Sequence, residues 1–122
     1  MADPDQMHRV IIEMGMGNDQ YGMDYTKAAA RAIEDAIRHS ALPLFAVTGL
    51  THAEMRVKVT VGVQEPGKLD LDALAQKLPR GKVEVVGQLG GLNVPVGAET
   101  IVVAQAAVEA FLPRQSTWVL KS

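Results

Sequence analysis

The clearest pattern of hydrophobic and polar positions in the chain is a strict alternation over residues 55–64. Every second residue of this segment is apolar, and these residues are Met55, Val57, Val59, Val61 and Val63. A period of two predicts a strand with one apolar and one polar face. A strand covered by helices on both faces would be apolar at nearly every position. We therefore expect helices on one face of the sheet only, and a second face that is open or meets another subunit.

Two segments show helical spacing instead. The first is Tyr25–His39, which follows Asp24, a residue type that caps helix N-termini. Its apolar stripe is formed by Tyr25, Ala29, Ala32, Ile33, Ala36 and Ile37. The second helix is predicted over Leu69–Leu78, with Asp70 as its cap. Its inner stripe is formed by Leu71, Leu74, Ala75 and Leu78.

Short apolar runs rich in β-branched residues predict further strands. These runs are Arg9–Met14 and Lys82–Leu89. Leu44–Val47 is predicted to be either a short strand or an extended loop. Leu92–Ala98 contains Pro95 and Gly97, and it is therefore predicted to be a flexible loop that a ligand can approach.

The last apolar segment, Thr100–Leu112, fits two kinds of secondary structure. Its length and its alanines suit a helix, whereas its first residues, Thr-Ile-Val-Val, suit a strand. We favour a long strand, since a helix of this sequence would be apolar nearly all round. A strand that is apolar on both faces would lie at the centre of the sheet or beneath a neighbouring subunit.

The order of these elements predicts an α+β fold, a two-layer sandwich in which two helices cover one face of a four-stranded mixed sheet. Two helices are too few to cover both faces, so we predict that the other face is used in oligomerisation. Residues 1–7 are predicted to be a flexible N-terminal tail. Residues 8–122 are predicted to form a single α+β domain, a size that one hydrophobic core can serve.

Composition and charge exclude several classes of function. The 122 residues carry a formal net charge of −2, so a nucleic-acid partner held by general phosphate attraction is not expected. The chain contains no cysteine, which excludes disulfides and thiolate metal sites. It has no run of about 20 apolar residues of the kind that crosses a membrane. We therefore expect a cytoplasmic protein without a membrane partner.

The glycine-containing segment Gly15–Lys27 is predicted to be the turn between the first strand and the first helix, a common location for a site. It does not match the dinucleotide fingerprint, because Gln20 takes the third glycine position and Gly22 comes two residues late. It does not match a phosphate-binding P-loop either, because Met23 and Asp24 replace the lysine and the hydroxyl residue.

A ligand-binding turn of another kind remains open. Gly15 and Gly17 would let the backbone approach a ligand or a neighbouring chain. Asp19 would act as an acid or hydrogen-bond acceptor, and Lys27 and Arg56 would be the charge partners of an anionic ligand. The other candidates for ligand contact in this turn are Tyr21, Gly22 and Asp24. A purely structural interpretation explains the same residues as glycines of a sharp turn, with Asp24 as the helix cap.

Other candidate groups lie later in the chain. Arg56 and Lys58 lie two residues apart on the polar face of the alternating strand, where they are either ordinary surface charges or an anion site at a subunit interface. His52 lies in a loop and is a candidate general base. Gly90 and Gly91 are candidates for close ligand approach. The spacing of the histidines shows no metal signature, and we predict no cofactor.

The segment GMGNDQYG, residues Gly15–Gly22, resembles the GxGxDxHG signature of a small uncharacterised family of bacterial and plant proteins. The resemblance extends to the LPRG turn and to the GGL sequence after the later strand. Tyr21 departs from the signature, which has histidine at this position. The resemblance implies an α+β fold similar to the C-terminal domain of tubulin and FtsZ, which is chorismate-mutase-like. Ring-opening amidohydrolases are built from domains of similar architecture, and this link is an analogy of fold only.

Two functional hypotheses follow. In the first, the protein is a homo-oligomer that binds a small polar or anionic molecule at the Gly15–Lys27 turn, either as a binder or as a hydrolase-like enzyme. The catalytic candidates are then Asp19, Lys27 and His52. In the second, the protein is a non-catalytic assembly module in which the glycine turn is a subunit contact.

Overall fold

The computed structural model describes residues 7–38, 55–78 and 82–113. Within these ranges the chain forms five strands, two α-helices and one turn of 3₁₀ helix over Pro66–Lys68. The strands are β1 (Met7–Asp19), β2 (Arg56–Val63), β3 (Lys82–Leu89), β4 (Leu92–Val96) and β5 (Glu99–Pro113). The α-helices are α1 (Tyr25–Ile37) and α2 (Leu71–Ala75).

The sheet is organised around the long strand β5. Its order is β1-β5-β2-β3, and β4 pairs with β5 beyond the end of β2. All pairs are antiparallel except β2 with β3, which are parallel. The predicted strand over Thr100–Leu112 is confirmed, and it lies between β1 and β2 at the centre of the sheet.

The helices cover one face of this sheet, as the alternation over residues 55–64 predicts. The apolar residues of that segment are buried against a core that includes Ile33 of α1 and Leu74 of α2. α1 lies over β1 and β5, and α2 lies beside β3. No described helix covers the opposite face, which we call the outer face. The predicted two-layer α+β sandwich is therefore confirmed, with five strands instead of four.

The additional strand is β4, in a segment that was predicted to be a flexible loop. Pro95 and Gly97 misled that prediction. Pro95 lacks an N–H donor. It is tolerated because β4 is a short edge strand that pairs only with β5 among the described strands. Gly97 has φ +61° and is the first of two residues that join Val96 to Glu99. A left-handed first residue in a two-residue connection is typical of a hairpin turn.

The first strand is also longer than predicted, because it continues through Gly15 and Gly17 to Asp19. The prediction that the turn begins at Gly15 is therefore wrong. Met7, which was assigned to the tail, pairs with Pro113 at the start of β1. Both helix caps are confirmed: Asp24 accepts the Lys27 N–H at 3.0 Å, and Asp70 accepts the Ala73 N–H at 3.1 Å.

The helices end earlier than predicted, at Ile37 and Ala75. Leu44–Val47 lies outside the described residues. No helix in the described ranges has the length and apolar character that crossing a membrane requires.

Candidate functional site

Gly15 and Gly17 lie on the face of β1 that is covered by α1, and both are buried. A Cβ atom on Gly17 would lie 2.5 Å from the Ala28 carbonyl oxygen, and one on Gly15 would collide with the Ala32 carbonyl oxygen. The close approach that these glycines permit is therefore made by the backbone of α1. The space that a ligand would need at these two positions is filled by the helix.

Asp19 is the last residue of β1, and its side chain is only 4 % exposed. Its Oδ2 atom accepts the backbone N–H of Asp24 at 2.9 Å, which fixes the loop at the start of α1. Its Oδ1 atom lies 3.9 Å from Lys27 Nζ and 3.8 Å from Arg31 Nη1. Lys27, predicted as a charge partner for an anionic ligand, thus lies beside a carboxylate of its own chain. The carboxylate is the anion that occupies the N-terminal end of this helix.

The loop between Asp19 and α1 closes through two residues with positive φ. Gly22 has φ +87° and Met23 has φ +50°. The left-handed conformation is easy for glycine, whereas for a residue such as methionine it costs about 1 kcal/mol or more. The hydrogen bond from Asp24 to Asp19 offsets this cost. The exposed Tyr21 has no hydrogen-bond partner among the described residues.

A polar network joins the start of α1 to two other elements, and sequence reasoning missed it. The buried Tyr25 hydroxyl donates to Glu65 Oε2 at 2.7 Å and accepts from Asn93 Nδ2 at 2.8 Å. Lys68 lies 3.3 Å from Glu65 Oε1. The Tyr25 hydrogen bond and Lys68 hold the pKa of the Glu65 carboxyl below its usual range. Polar residues 40 and 68 positions from Tyr25 give no local sequence signal for such a network.

Side chains of α1 also protect the edge of the sheet that β1 forms. Arg31 donates to the Asn18 carbonyl oxygen at 2.6 Å, and Asp35 accepts the Met16 N–H at 3.1 Å. An unpaired edge strand is a template for further strands, and side chains that occupy its backbone groups remove that template. This stretch of β1 is therefore closed to strand addition.

Gly90 and Gly91 carry the chain from β3 to β4 across the end of β2. Gly90 donates its N–H to the Val63 carbonyl oxygen at 2.9 Å, and the Gln64 side-chain amide donates to both glycine carbonyls at 3.1 Å. Gly91 has φ +61°, and a Cβ atom there would collide with the Val103 carbonyl oxygen. The tight crossing requires glycine at this position.

Arg56 and Lys58 lie on the outer face, as predicted, and the structure adds a third cation beside them. Lys82 of β3 lies directly opposite Arg56 of β2 in the strand register. The three side chains border a hollow of about 380 Å³, which Phe111 and Glu84 also line. None of the three cations forms an ion pair with another residue of the ranges 7–38, 55–78 and 82–113. We call this feature the basic hollow.

The comparisons with known proteins agree with this architecture. Residues 9–110 match the model of a family described as conserved hypothetical protein (Lin0512_fam). The chain belongs to the Lin0512 family. The resemblance seen in its glycine signature is thereby confirmed.

A solved structure supports the same fold for this Lin0512 family member. It is the crystal structure of an FtsZ-like protein of unknown function from Nostoc punctiforme, which is 35 % identical to this chain. The match has a TM-score of 0.79 and covers 88 % of this chain and 98 % of the Nostoc chain. A search of curated proteins gave no significant match.

The structure explains each glycine and acid of the Lin0512 signature in this chain by its packing. Gly15 and Gly17 let the backbone of α1 approach β1 closely, and Gly22 adopts the left-handed conformation. Asp19 accepts a hydrogen bond from the backbone N–H of Asp24 in the loop. Sequence reasoning located the motif but assigned its glycines to a turn. The motif joins β1 to α1. The close packing of this helix on this strand and the conformation of the loop between them account for the spacing of the glycines and of Asp19.

The charged candidates that the structure describes fall into two groups that lie far apart. Asp19, Asp24 and Lys27 come together at the start of α1. In the strand register Asp19 lies opposite Val102 of β5. Arg56 lies opposite Phe111, which is nine residues further along β5 than Val102. At about 3.4 Å per residue this separation is about 30 Å. His52 lies outside the described residues, and in those residues no three potential ligand side chains form a metal cluster.

Proposed function

We propose that this Lin0512 family member binds a small anionic molecule in the basic hollow of its outer face. The observation that carries the proposal is the presence of three neighbouring cations without ion-pair partners in the described chain, namely Arg56, Lys58 and Lys82. Neighbouring like charges repel each other, and a carboxylate or phosphate between them would relieve that repulsion.

The size and lining of the basic hollow restrict the ligand. A volume of about 380 Å³ suits a small molecule. Phe111 and Met7 contribute apolar surface beside the cations, which favours an anion that carries an apolar or aromatic group. Glu84 can accept a hydrogen bond from a donor on the same ligand. The described lining offers no hydroxyl or thiol nucleophile beside a base, so we propose binding rather than catalysis.

The Gly15–Lys27 turn is a weaker place for such a ligand. The carboxylate of Asp19 already lies at the start of α1, hydrogen-bonded to the loop and close to Lys27 and Arg31. A second anion there would meet this negative charge in a partly buried setting. We therefore propose that the anion binds on the outer face and not at the Gly15–Lys27 turn.

Isothermal titration calorimetry with phenyl phosphate and with inorganic phosphate tests this proposal. We expect phenyl phosphate to bind more tightly, because only it can also contact Phe111. Arg56→Gln and Lys82→Gln should each weaken phenyl phosphate binding about 10-fold, which is the effect of one lost charge-assisted contact. Lys68→Gln is the matched control, since Lys68 pairs with Glu65 away from the hollow. Absent binding, or equal affinities for all four proteins, would contradict the proposal.

A second candidate function is self-association through the outer face. β1 and β4 place a set of exposed apolar side chains on this face, which we call the apolar band: Ile12, Met14, Met16, Leu92, Val94 and Val96. Met14 is 68 % exposed and Met16 is 59 % exposed. Several exposed apolar side chains on one face of a sheet are typical of an interaction site.

The introduction of a charge into the apolar band tests the second candidate. In sedimentation velocity over a range of concentrations, we expect the wild-type protein to associate and Met16→Glu to weaken that association at least 10-fold. The buried glutamate would lose its hydration without gaining a partner. Met23→Glu is the control, because Met23 is an exposed methionine on the β1–α1 loop. A wild-type protein that stays monomeric at all concentrations would exclude this function.

A further inference from the structure

We infer that the ligand of the basic hollow is a zwitterion, namely an amine that also carries one carboxylate or phosphate group, and that Glu84 selects it. This inference rests on the proposed anion binding and names the class of ligand. It follows from the positions of the acidic and basic side chains at the basic hollow. These side chains fall into two rows that cross the sheet.

The strand register defines the two rows. The first row is Phe111, Arg56 and Lys82, and the second is Glu109, Lys58 and Glu84, each in the order β5, β2, β3. The rows lie two residues apart on every strand, which is a distance of about 6.8 Å. The first row contains two cations and no acid, whereas the second contains one cation between two acids. The two rows therefore suit ligand groups of different charge.

The first row is the better place for the anionic group of the ligand. Arg56 and Lys82 lie opposite each other on neighbouring strands, which are about 4.8 Å apart. The guanidinium group can donate two parallel hydrogen bonds to a carboxylate or phosphate, and the ammonium group of Lys82 adds a second positive charge. Neither side chain forms an ion pair with a residue that the structure describes. Both are therefore available to the ligand.

The second row is a poor place for another anionic group. Lys58 lies opposite Glu84 of β3 and opposite Glu109 of β5, so a carboxylate flanks it on each side. A second carboxylate or phosphate beside Lys58 would be repelled by both of these acids. The ligand therefore carries a single anionic group, and dicarboxylates and bisphosphates are disfavoured.

Glu84 is the carboxylate that is available to the ligand. It lines the basic hollow and forms no ion pair with another described residue. Glu109, in contrast, forms an ion pair of 3.2 Å with Arg9. A contact between Lys58 and Glu84 would join two exposed side chains, and exposed pairs of this kind contribute little. A positive group of the ligand can therefore bind Glu84 in place of Lys58.

An ammonium group is the ligand group that Glu84 favours. An anionic group held by Arg56 and Lys82 would lie about one row from the Glu84 carboxylate, and two negative charges at this distance repel each other. An ammonium group on the same ligand replaces this repulsion by attraction and donates hydrogen bonds to the carboxylate. Val57 and Val83 lie between the two rows and add no charge to the lining. An uncharged spacer between the anionic group and the ammonium group therefore fits this part of the hollow.

Isothermal titration calorimetry with two aryl phosphates of nearly equal shape tests this inference. The compounds are meta-(aminomethyl)phenyl phosphate and meta-ethylphenyl phosphate, of which only the first carries an ammonium group. We expect the wild-type protein to bind the amine about 10-fold more tightly, which is the effect of one charge-assisted contact. Glu84→Gln should lower the affinity for the amine about 10-fold and should not lower the affinity for the ethyl compound, so that the preference is lost.

Two further variants serve as controls. Glu99→Gln removes the same charge from an exposed acid at the start of β5, far along the strand from Phe111, and should keep the preference for the amine. Lys58→Gln should weaken the binding of either compound less than about 3-fold, because its flanking acids exclude the anionic group. Arg56→Gln should weaken the binding of both compounds about 10-fold, because Arg56 holds that group.

The outcomes separate this inference from the proposed anion binding. If the wild-type protein binds both compounds with equal affinity, or if Glu84→Gln keeps the preference for the amine, the zwitterion inference is wrong and anion binding stands. If the wild-type protein binds neither compound, both are overturned.

Discussion

Replacement of Gly17 by alanine is expected to lower the free energy of unfolding by about 3 kcal/mol or more, the upper range for overpacked sites. The added Cβ atom would lie 2.5 Å from the Ala28 carbonyl oxygen and 2.6 Å from the Arg31 Cβ atom, and it would also collide with the Ala32 backbone nitrogen. Two of these neighbours are backbone atoms of α1, so no side-chain rotation can relieve the contact. The whole helix must move away from β1, which would loosen the layer that covers the sheet.

Thermal and urea unfolding followed by circular dichroism would measure this effect. A loss of 3 kcal/mol in a chain of this length corresponds to a decrease in Tm of about 10 °C or more. Gly67→Ala is the matched control, because a Cβ atom at Gly67 meets no atom within 4 Å. Its stability should lie within about 0.5 kcal/mol of the wild type. A Gly17→Ala protein as stable as this control would show that α1 does not pack closely on β1.

The periodicity of the sequence was sufficient to predict the layers of the fold. The alternation over residues 55–64 correctly indicated a sheet with helices on one face, because side-chain direction in a strand depends only on the parity of the position. The apolar character of residues 100–112 correctly indicated a central strand. The caps Asp24 and Asp70 were predictable because capping depends on neighbours within one helical turn.

The errors arose where a residue has a different role in its tertiary context. Gly15 and Gly17 suggested a turn, but in the structure they are strand residues beneath a helix, and only the position of α1 reveals that role. Pro95 suggested a loop, but β4 tolerates it because this short strand pairs only with β5 among the described strands. Lys82 was not recognised as a partner of Arg56, because their proximity depends on the pairing of strands 26 residues apart.

Replacement of Asp19 by alanine is expected to destabilise the domain by about 2–3 kcal/mol while leaving anion binding at the basic hollow unchanged. The main loss is the charge-assisted hydrogen bond from the Asp24 N–H, and the donor left without a partner adds to the cost. Lys27 and Arg31 are about half exposed and can return to water, so their ion pairs contribute little. Asp19→Asn keeps an acceptor oxygen and should lose about 1 kcal/mol, the difference between a charged and a neutral acceptor.

Urea unfolding combined with phenyl phosphate calorimetry distinguishes this structural role from a catalytic or ligand-binding one. Asp72→Ala is the control for stability, since the Asp72 carboxylate is exposed on α2 and has no side-chain partner in the described residues. If Asp19→Ala kept wild-type stability but lost phenyl phosphate binding, the turn and not the outer face would be the ligand site. The expected result is the reverse, because the carboxylate is buried among groups of its own chain, about 30 Å along the sheet from the cations of the basic hollow.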